Sequence, residues 1–533
     1  MKYYDTDVLI IGSGLAGLRA AIESARNGAK TTVLCKSSVG LGSNSALAGG
    51  GLSTAIRETD METHIEATLR IGRGLNDRQL VMELARGGTE EIKFLKTISV
   101  DLVLRPPFGY WVNRKEYPGK TLGGRIIIKK MIQVANQYDQ IQFLPNFFVD
   151  KILSHEGQIS GAAGFDQEGK ACHISSKSVI LATGGGGGIY KRNDNYKRIL
   201  GDGYALALEM GLPLIDMEFV QFYPFGFSEP GLPQHILYPP YPKEVKTLDA
   251  NGNDFLKTHG IELSLDEVIV SLRDKIGYLI YKENQKGQVL MDYTRVPDSR
   301  FEDFPLNLFP KRRFNFKEKP FRISPLAHFF MGGVKITPSC ETDIQGFFAA
   351  GEVTGGVHGA NRMGGNALTE CLVFGAKSGQ MAADFAKRQT PKKNTNLPEG
   401  WPRRFPAEMD GSKKTSTLLA GQRSVQHLAW RCAGPIRDER QMKEGLSSLE
   451  NLGQEVKGLQ VFNTKELLLK RELQNSLLVL SAILIASLER KESRGALQRE
   501  DFPKEEGTKF LKRVSVRMKK PEKDLEISWE DLH

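Results

Sequence analysis

The sequence predicts an α/β chain: a Rossmann-like domain assembled from two separated parts, an α+β domain inserted between them, and a helical domain after it. Three observations carry that reading. Apolar runs at residues 7–11 and 178–181 are each followed at once by glycines, as expected of buried parallel strands that end at a turn. A third such strand, at 346–351, returns late in the chain. Beyond about residue 389 the apolar spacing turns helical and stays so. A length of 533 residues exceeds one hydrophobic core and implies roughly two to four domains.

The first strand leads into Gly12-Ser13-Gly14-Leu15-Ala16-Gly17, then a helix over 18–27 and a second strand over 31–34. Glycines in this strand–turn–helix setting permit the tight turn and bring a helix N-terminus to a pyrophosphate. Cys35-Lys36 ends the second strand, where many dinucleotide folds place an acidic ribose ligand, and this weighs against a nicotinamide dinucleotide. Ala182-Thr183-Gly184-Gly185 closes the strand at 178–181, and the strand at 346–351 ends at Glu352.

The segment 217–335 is rich in proline and aromatics. The stretch from Ala349 to Ala367 is dense in glycine and carries Glu352 and Arg362. Backbone N–H groups can approach a flat or anionic ligand there, and a fixed guanidinium can grip a carboxylate with two parallel bonds. Pro391-Lys392-Lys393-Asn394 and Pro398-Glu399-Gly400 read as a linker. Helices are expected over 408–433, 437–452 and 464–491.

Composition excludes several classes. The net charge of +10 is modest, and no Lys/Arg tract interleaves with aromatics, so nucleic acid is not an expected partner. Cys35, Cys172, Cys340, Cys371 and Cys432 form no C-x-x-C pair, so neither an internal iron–sulfur cluster nor a zinc site is expected. The scattered cysteines and the absence of a signal peptide fit a cytoplasmic protein. The longest apolar run, 477–488, is too short to span a bilayer and reads as a buried helix. Membrane contact, on the cytoplasmic face, is expected only through a partner.

Together, Gly12–Gly17, the Ala-Thr-Gly-Gly return, His328-Phe329-Phe330-Met331-Gly332-Gly333, the 349–367 stretch and the Glu492-Ser493-Arg494-Gly495 segment with Arg499–Pro503 resemble the succinate dehydrogenase / fumarate reductase flavoprotein family, which includes L-aspartate oxidase. The resemblance runs from about residue 5 to residue 510. It implies an FAD-binding domain at 1–216 and 336–388, a capping domain at 217–335, a helical domain at 389–510 and a C-terminal tail at 511–533. It assigns FAD contacts to Gly12, Gly14, Leu15, Ala16, Lys36, Ser43, Asn44, Ser45, Gly49, Gly50, Ala182, Thr183, Gly184, Asp202, Glu352, Asn366, Ala367 and Leu368.

Family members hold a carboxylate against the flavin, and His328 and Arg362 match two of the groups that bind it. Tyr223, in Gln221-Phe222-Tyr223-Pro224-Phe225, replaces a substrate-binding histidine, and Phe225 replaces a threonine. The family's proton-shuttle arginine aligns with Tyr278, while Arg273-Asp274 matches a preceding Arg-Asp pair. Tyr278, protonated at neutral pH, is then the candidate acid. Asn44 stands where respiratory members carry the histidine that links to FAD, so non-covalent FAD is expected.

Short dicarboxylates lose partners in such a pocket, and an aromatic or alicyclic mono-acid or thioester gains aromatic surface. The implied function is oxidation or reduction of a CH–CH bond of a carboxylate or acyl substrate, with electrons exchanged through an iron–sulfur subunit. The alternatives are L-aspartate oxidase and a flavin electron relay without an organic substrate. Purely structural readings stand beside these: His328 capping the glycine turn, Arg362 paired with Glu352 or Glu370, and both tyrosines filling space.

Overall fold

The computed structural model describes residues 1–115, 117, 121–390, 401, 412–519 and 524–532. Both predicted linker segments, at 391–394 and 398–400, lie outside the described residues, as does the start of the helix expected from 408.

A seven-stranded sheet forms the centre. Its order is Ile141–Pro145, Thr31–Cys35, Lys2–Ile11, Ala171–Leu181, Gln158–Phe165, Phe148–His155. Lys2–Ile11 pairs parallel with both Thr31–Cys35 and Ala171–Leu181. The outer edge of Ala171–Leu181 is shared. Its first half pairs antiparallel with Gln158–Phe165, and its last residues pair parallel with Phe347–Ala349. The late strand at 346–351 thus returns beside the early ones, which assembles one sheet from two stretches of chain. Val8, Leu9, Ile10, Val33, Val179 and Ile180 are fully buried, as strands covered on both faces require. The helices Leu15–Arg26 and Asn366–Lys387 cover one face, locked where Ser24 Oγ donates to the Gly379 carbonyl at 3.0 Å.

Within 217–335 a second, antiparallel sheet runs Val220–Phe227, Phe321–Phe330, Leu290–Asp292, Lys246–Leu248. It has its own core, where Phe227, Tyr293, Phe309, Phe316 and Phe321 meet edge to face or tilted, with Tyr293 stacked on Phe321.

The helices Ser412–Cys432, Glu439–Gly458 and Thr464–Glu489 pack on one another. Glu439–Gly458 is capped by Asp438, whose carboxylate accepts from Gln441 N, and runs one turn and a half past its expected end. Thr464–Glu489 is long and apolar enough to cross a membrane, yet its Leu473, Val479, Leu480, Ile483 and Leu484 are buried in the main core. It therefore reads as a core helix.

The last segment corrects the expected tail at 511–533. Lys512–Met518 and Leu525–Asp531 form a hairpin, and its first strand pairs antiparallel with Leu214–Ile215. Val514 and Val516 point inward and are fully buried. Nearby, buried Arg490 bridges Glu218 at 2.6 Å and Glu492 at 3.2 Å, and Arg494 reaches Glu492 at 2.7 Å. The Glu492–Gly495 motif thereby pins the helical domain to the turn that precedes the strand Val220–Phe227.

Candidate active site

At the C-terminal ends of Lys2–Ile11, Thr31–Cys35 and Ala171–Leu181 opens a cleft. Doubly wound sheets present their ligand sites at this edge. Gly12, Gly14, Leu15, Ala16, Lys36, Ser43, Asn44, Ser45, Ala182, Thr183, Gly184, Asp202 and Glu352 all line it. The glycine turn is tight for a reason. Gly12 has φ +112°, and a Cβ there would stand 2.2 Å from the Ala182 carbonyl oxygen. A Cβ at Gly17 would stand 2.0 Å from the Gly12 oxygen. The helix Leu15–Arg26 begins at Gly14, which has no capping side chain; Leu15 N donates to Ser45 Oγ at 3.3 Å, and the helix dipole still favours an anion there. Thr183 Oγ1 is buried in this wall without a protein partner.

Five predicted cofactor contacts stand outside the lining. Asn366 spends its side chain internally: Oδ1 meets His64 Nε2 at 3.1 Å, and Nδ2 donates to Thr68 Oγ1 at 3.1 Å. Leu368 packs with Leu15 and Leu18 in an apolar cluster, and Ala367 packs beside Ala496 and Leu497. Gly49 lies against the Tyr238 and Trp111 rings, and Gly50 lies against the Gly123 backbone.

Polar networks fix the rim. Lys36 Nζ reaches Asp202 at 2.5 Å and Glu472 at 2.9 Å, and Arg198 also grips Glu472. Asn44 donates to Asn195 Oδ1 at 2.6 Å and to Glu352 Oε2 at 3.4 Å, and it accepts from Tyr196 N at 2.9 Å. Glu352 also accepts from Phe330 N at 3.2 Å. Burial pushes its carboxyl pKa up to about 7, against those hydrogen bonds and the pull of Arg362.

A cationic corner adjoins the cleft. Arg362 is buried, with its guanidinium 4.4 Å above the Phe329 ring and its Nη2 donating to Gln221 Oε1 at 2.8 Å. Its Nε has no partner, and no carboxylate lies within ion-pair distance among the described residues. Glu370, one expected partner, instead faces His358 at 2.9 Å. Burial lowers the Arg362 pKa to about 10, and the charge of Arg273 adds to that. His328 is held by Asp194, with Nδ1 2.8 Å from Oδ2. Its ring therefore answers to an acid and not to the glycine turn.

Two site assignments change. Tyr223 has its ring 5.8 Å from that of His328, but its hydroxyl is turned away, bonded to Tyr241 Oη at 2.9 Å and the Leu237 carbonyl at 3.3 Å. It belongs to the aromatic core of the insertion, where Phe225 is also fully buried. Tyr278 is farther off. Its hydroxyl meets Lys282 Nζ at 3.2 Å, and Lys282 pairs with Glu500. The helix Arg273–Glu283 turns about 100° per residue, so Tyr278 stands roughly 140° around it from Arg273.

Arg273 is the residue that reaches the corner. Its Nη2 donates to the Arg362 carbonyl at 2.7 Å and to Asn361 Oδ1 at 2.9 Å, and its Nε is buried without a partner. Asn361 Nδ2 in turn donates to Asp274 at 2.5 Å. Burial lowers the Arg273 pKa. Asp194 and Arg273 were missed as site residues. Helical spacing separates positions 273 and 278 onto different faces and carries the signal for Arg273. Nothing local marks Asp194, which is 134 residues from His328.

A family profile described as the FAD binding domain matches residues 7–368, and one described as the fumarate reductase flavoprotein C-term matches 422–533. The chain is 32% identical over 522 residues to an uncharacterized FAD-dependent oxidoreductase of Methanocaldococcus jannaschii, covering 93% of this chain and 94% of that one. It is 31% identical over 531 residues to one subunit of the fumarate reductase (CoM/CoB) of Methanothermobacter marburgensis, covering 94% and 95%. A solved variant of the Escherichia coli quinol fumarate reductase flavoprotein matches with a TM-score of 0.84 at 26% identity, covering 100% of this chain and 97% of that one.

Proposed function

The chain belongs to the FAD-dependent fumarate reductase / succinate dehydrogenase flavoprotein family, and from that premise we propose that it oxidises or reduces the CH–CH bond of a carboxylate substrate held by Arg362. The observation that carries this is a buried guanidinium with free donors and no acid of its own. Burying such a charge is unfavourable unless an anion meets it.

The cleft fits FAD: a helix start at Gly14 for the pyrophosphate, glycines where side chains would clash, and an orphaned Thr183 hydroxyl. FAD, when bound, supplies two-electron exchange with a substrate carbon. Arg362 orients the carboxylate, aided by Gln221 and the Phe329 ring. His328, steadied by Asp194, offers its second nitrogen to the substrate. Arg273 moves the proton at its free Nε, fixed by Asn361 and the Arg362 carbonyl. We thus assign to Arg273 the acid role expected of Tyr278. The test is turnover of a panel of enoates with an artificial electron donor. Absence of any enoate reduction or reverse desaturation by FAD-loaded protein rejects the proposal.

Two further outcomes are expected. Asn44 carries no imidazole, so acid precipitation should release all the flavin and leave a colourless pellet; a yellow pellet contradicts non-covalent binding. Gly12→Ala should purify with little flavin, because its Cβ would collide with the Ala182 oxygen. A wild-type flavin-to-protein ratio in that variant would show the turn to be dispensable.

Electrons are proposed to pass through a separate iron–sulfur protein, which suits the scattered cysteines of this chain and the multi-subunit naming of the Methanothermobacter relative. A cytoplasmic place, with membrane contact through that partner alone, goes with this reading. L-aspartate oxidase is a second reading. Arg273 favours it, because an arginine stands beside Arg362, and L-aspartate oxidases are among the relatives at about 30% identity. Aerobic hydrogen peroxide formation from L-aspartate separates the two.

A further inference from the structure

Two more guanidiniums lack acid partners among the described residues, and aromatic rings link them along one wall. Arg105 and Arg114 flank the strand Tyr110–Val112, next to the glycine segment 49–51. The Arg105 guanidinium lies 4.8 Å over the Trp111 ring. Its Nη1 makes two long contacts, to Ser53 Oγ at 3.4 Å and to the Gly364 carbonyl at 3.3 Å. Its other nitrogens donate to nothing among the described residues. Arg114 lies 3.3 Å over the Phe304 ring and makes no side-chain hydrogen bond among the described residues. Tyr238 joins the two. Its ring is 5.8 Å from Phe304, it packs on Gly49 beside Trp111, and its hydroxyl donates to the Leu47 carbonyl at 2.9 Å.

Such cations are treated differently elsewhere in the chain. Arg19 pairs with Glu91, Arg471 with Asp150 and Arg499 with Asp501. Arg192 and Arg437 have no acid but each spends donors on two backbone carbonyls. Arg105 and Arg114 keep most donors free while burial lowers the pKa of both, that of Arg114 to about 10. Aromatic faces stabilise a guanidinium without neutralising it. The wall therefore carries two guanidiniums without an acid partner among the described residues, at the seam between Trp111, Arg105 and Arg114 on one side and Tyr238 and Phe304 on the other.

This wall is close to the Arg362 corner. Arg105 touches Gly364, two residues from Arg362, and two residues span at most about 7 Å. Resting on the proposed carboxylate site, we infer that Arg105 and Arg114 form a second anion subsite for the distal oxyanion of an elongated substrate. The substrate class is an enoate with an acidic group at its far end. Trp111 and Tyr238 would cover the apolar stretch between the two charges. A short diacid such as fumarate would reach one site only.

The test titrates FAD-loaded protein with oct-2-enoate and oct-2-enedioate, read by perturbation of the bound flavin spectrum. The enedioate should bind at least about 10-fold more tightly, because one or two charged hydrogen bonds are added. Arg105→Gln and Arg114→Gln should each erase most of that preference, with oct-2-enoate affinity changed by less than about 2-fold as the control for folding. Arg114→Lys should retain part of it, since the charge remains. Equal affinity for the two acids in the wild type overturns the inference and leaves the Arg362 site standing. Weakening of both acids alike in the Gln variants overturns it as well. Failure of both acids to bind overturns it together with the carboxylate site on which it rests.

Discussion

Arg362→Ala is expected to lower kcat/KM for an enoate substrate by roughly 10²–10⁴, because two charged hydrogen bonds worth about 1.5–3 kcal/mol each disappear. FAD should stay bound, since Arg362 is not among the residues that line the main cleft. Arg362→Lys should recover little, because an ammonium cannot form the two parallel bonds of a guanidinium. Stability should move the other way. Arg362 is a buried cation without an acid partner, so Arg362→Met should leave folding unharmed or raise stability by about 1–2 kcal/mol. A structural arginine predicts the reverse: preserved turnover and a lowered midpoint in thermal or denaturant unfolding. The two readings are thus separated by one variant and two measurements.

Arg273→Gln should reduce kcat by about 10²–10⁴, the usual contribution of a positioned acid, with KM much less affected. Tyr278→Phe should remain within about 2-fold of wild type, because its hydroxyl meets Lys282 at the far side of the helix. The opposite ranking restores Tyr278 as the acid. A large rise in KM for Arg273→Gln, with kcat intact, would make Arg273 a binding residue instead. Glutamine keeps a donor near the Arg362 carbonyl, so the 361–362 loop should hold its place and the comparison reports on proton transfer.

Much of the fold was legible because it rests on short-range rules. Apolar runs ending in glycine mark the parallel strands, and the Gly12–Gly17 turn states its own helix. The last segment was misread as a tail. Val514 and Val516 alternate with Arg513, Ser515 and Arg517 as in a strand, but Arg513 and Ser515 are buried as well, and the partner strand, Leu214–Ile215, is three hundred residues away in sequence. The site divides the same way. Residues 12–16 and 182–185, from two of the glycine turns, line the cleft. Asn366 does not, because His64 and Thr68 claim its amide, and no local pattern announces that pairing. Tyr223 was read as facing substrate, yet Tyr241 and the Leu237 carbonyl take its hydroxyl inside the insertion. Arg273 and Tyr278 were separable in advance: five residues on a helix place them on different faces.

In the proposed reaction Arg362 holds the substrate carboxylate and Arg273 delivers a proton to the substrate carbon. The most direct test is a single turnover. Anaerobically reduced, FAD-loaded protein is mixed with each member of an enoate panel, and the return of oxidised-flavin absorbance is followed. The account predicts reoxidation by at least one enoate, slowed by about 100-fold or more in both Arg362→Ala and Arg273→Gln. Reoxidation at wild-type rate in both variants, or reoxidation by dioxygen and one-electron carriers but by no enoate, contradicts it.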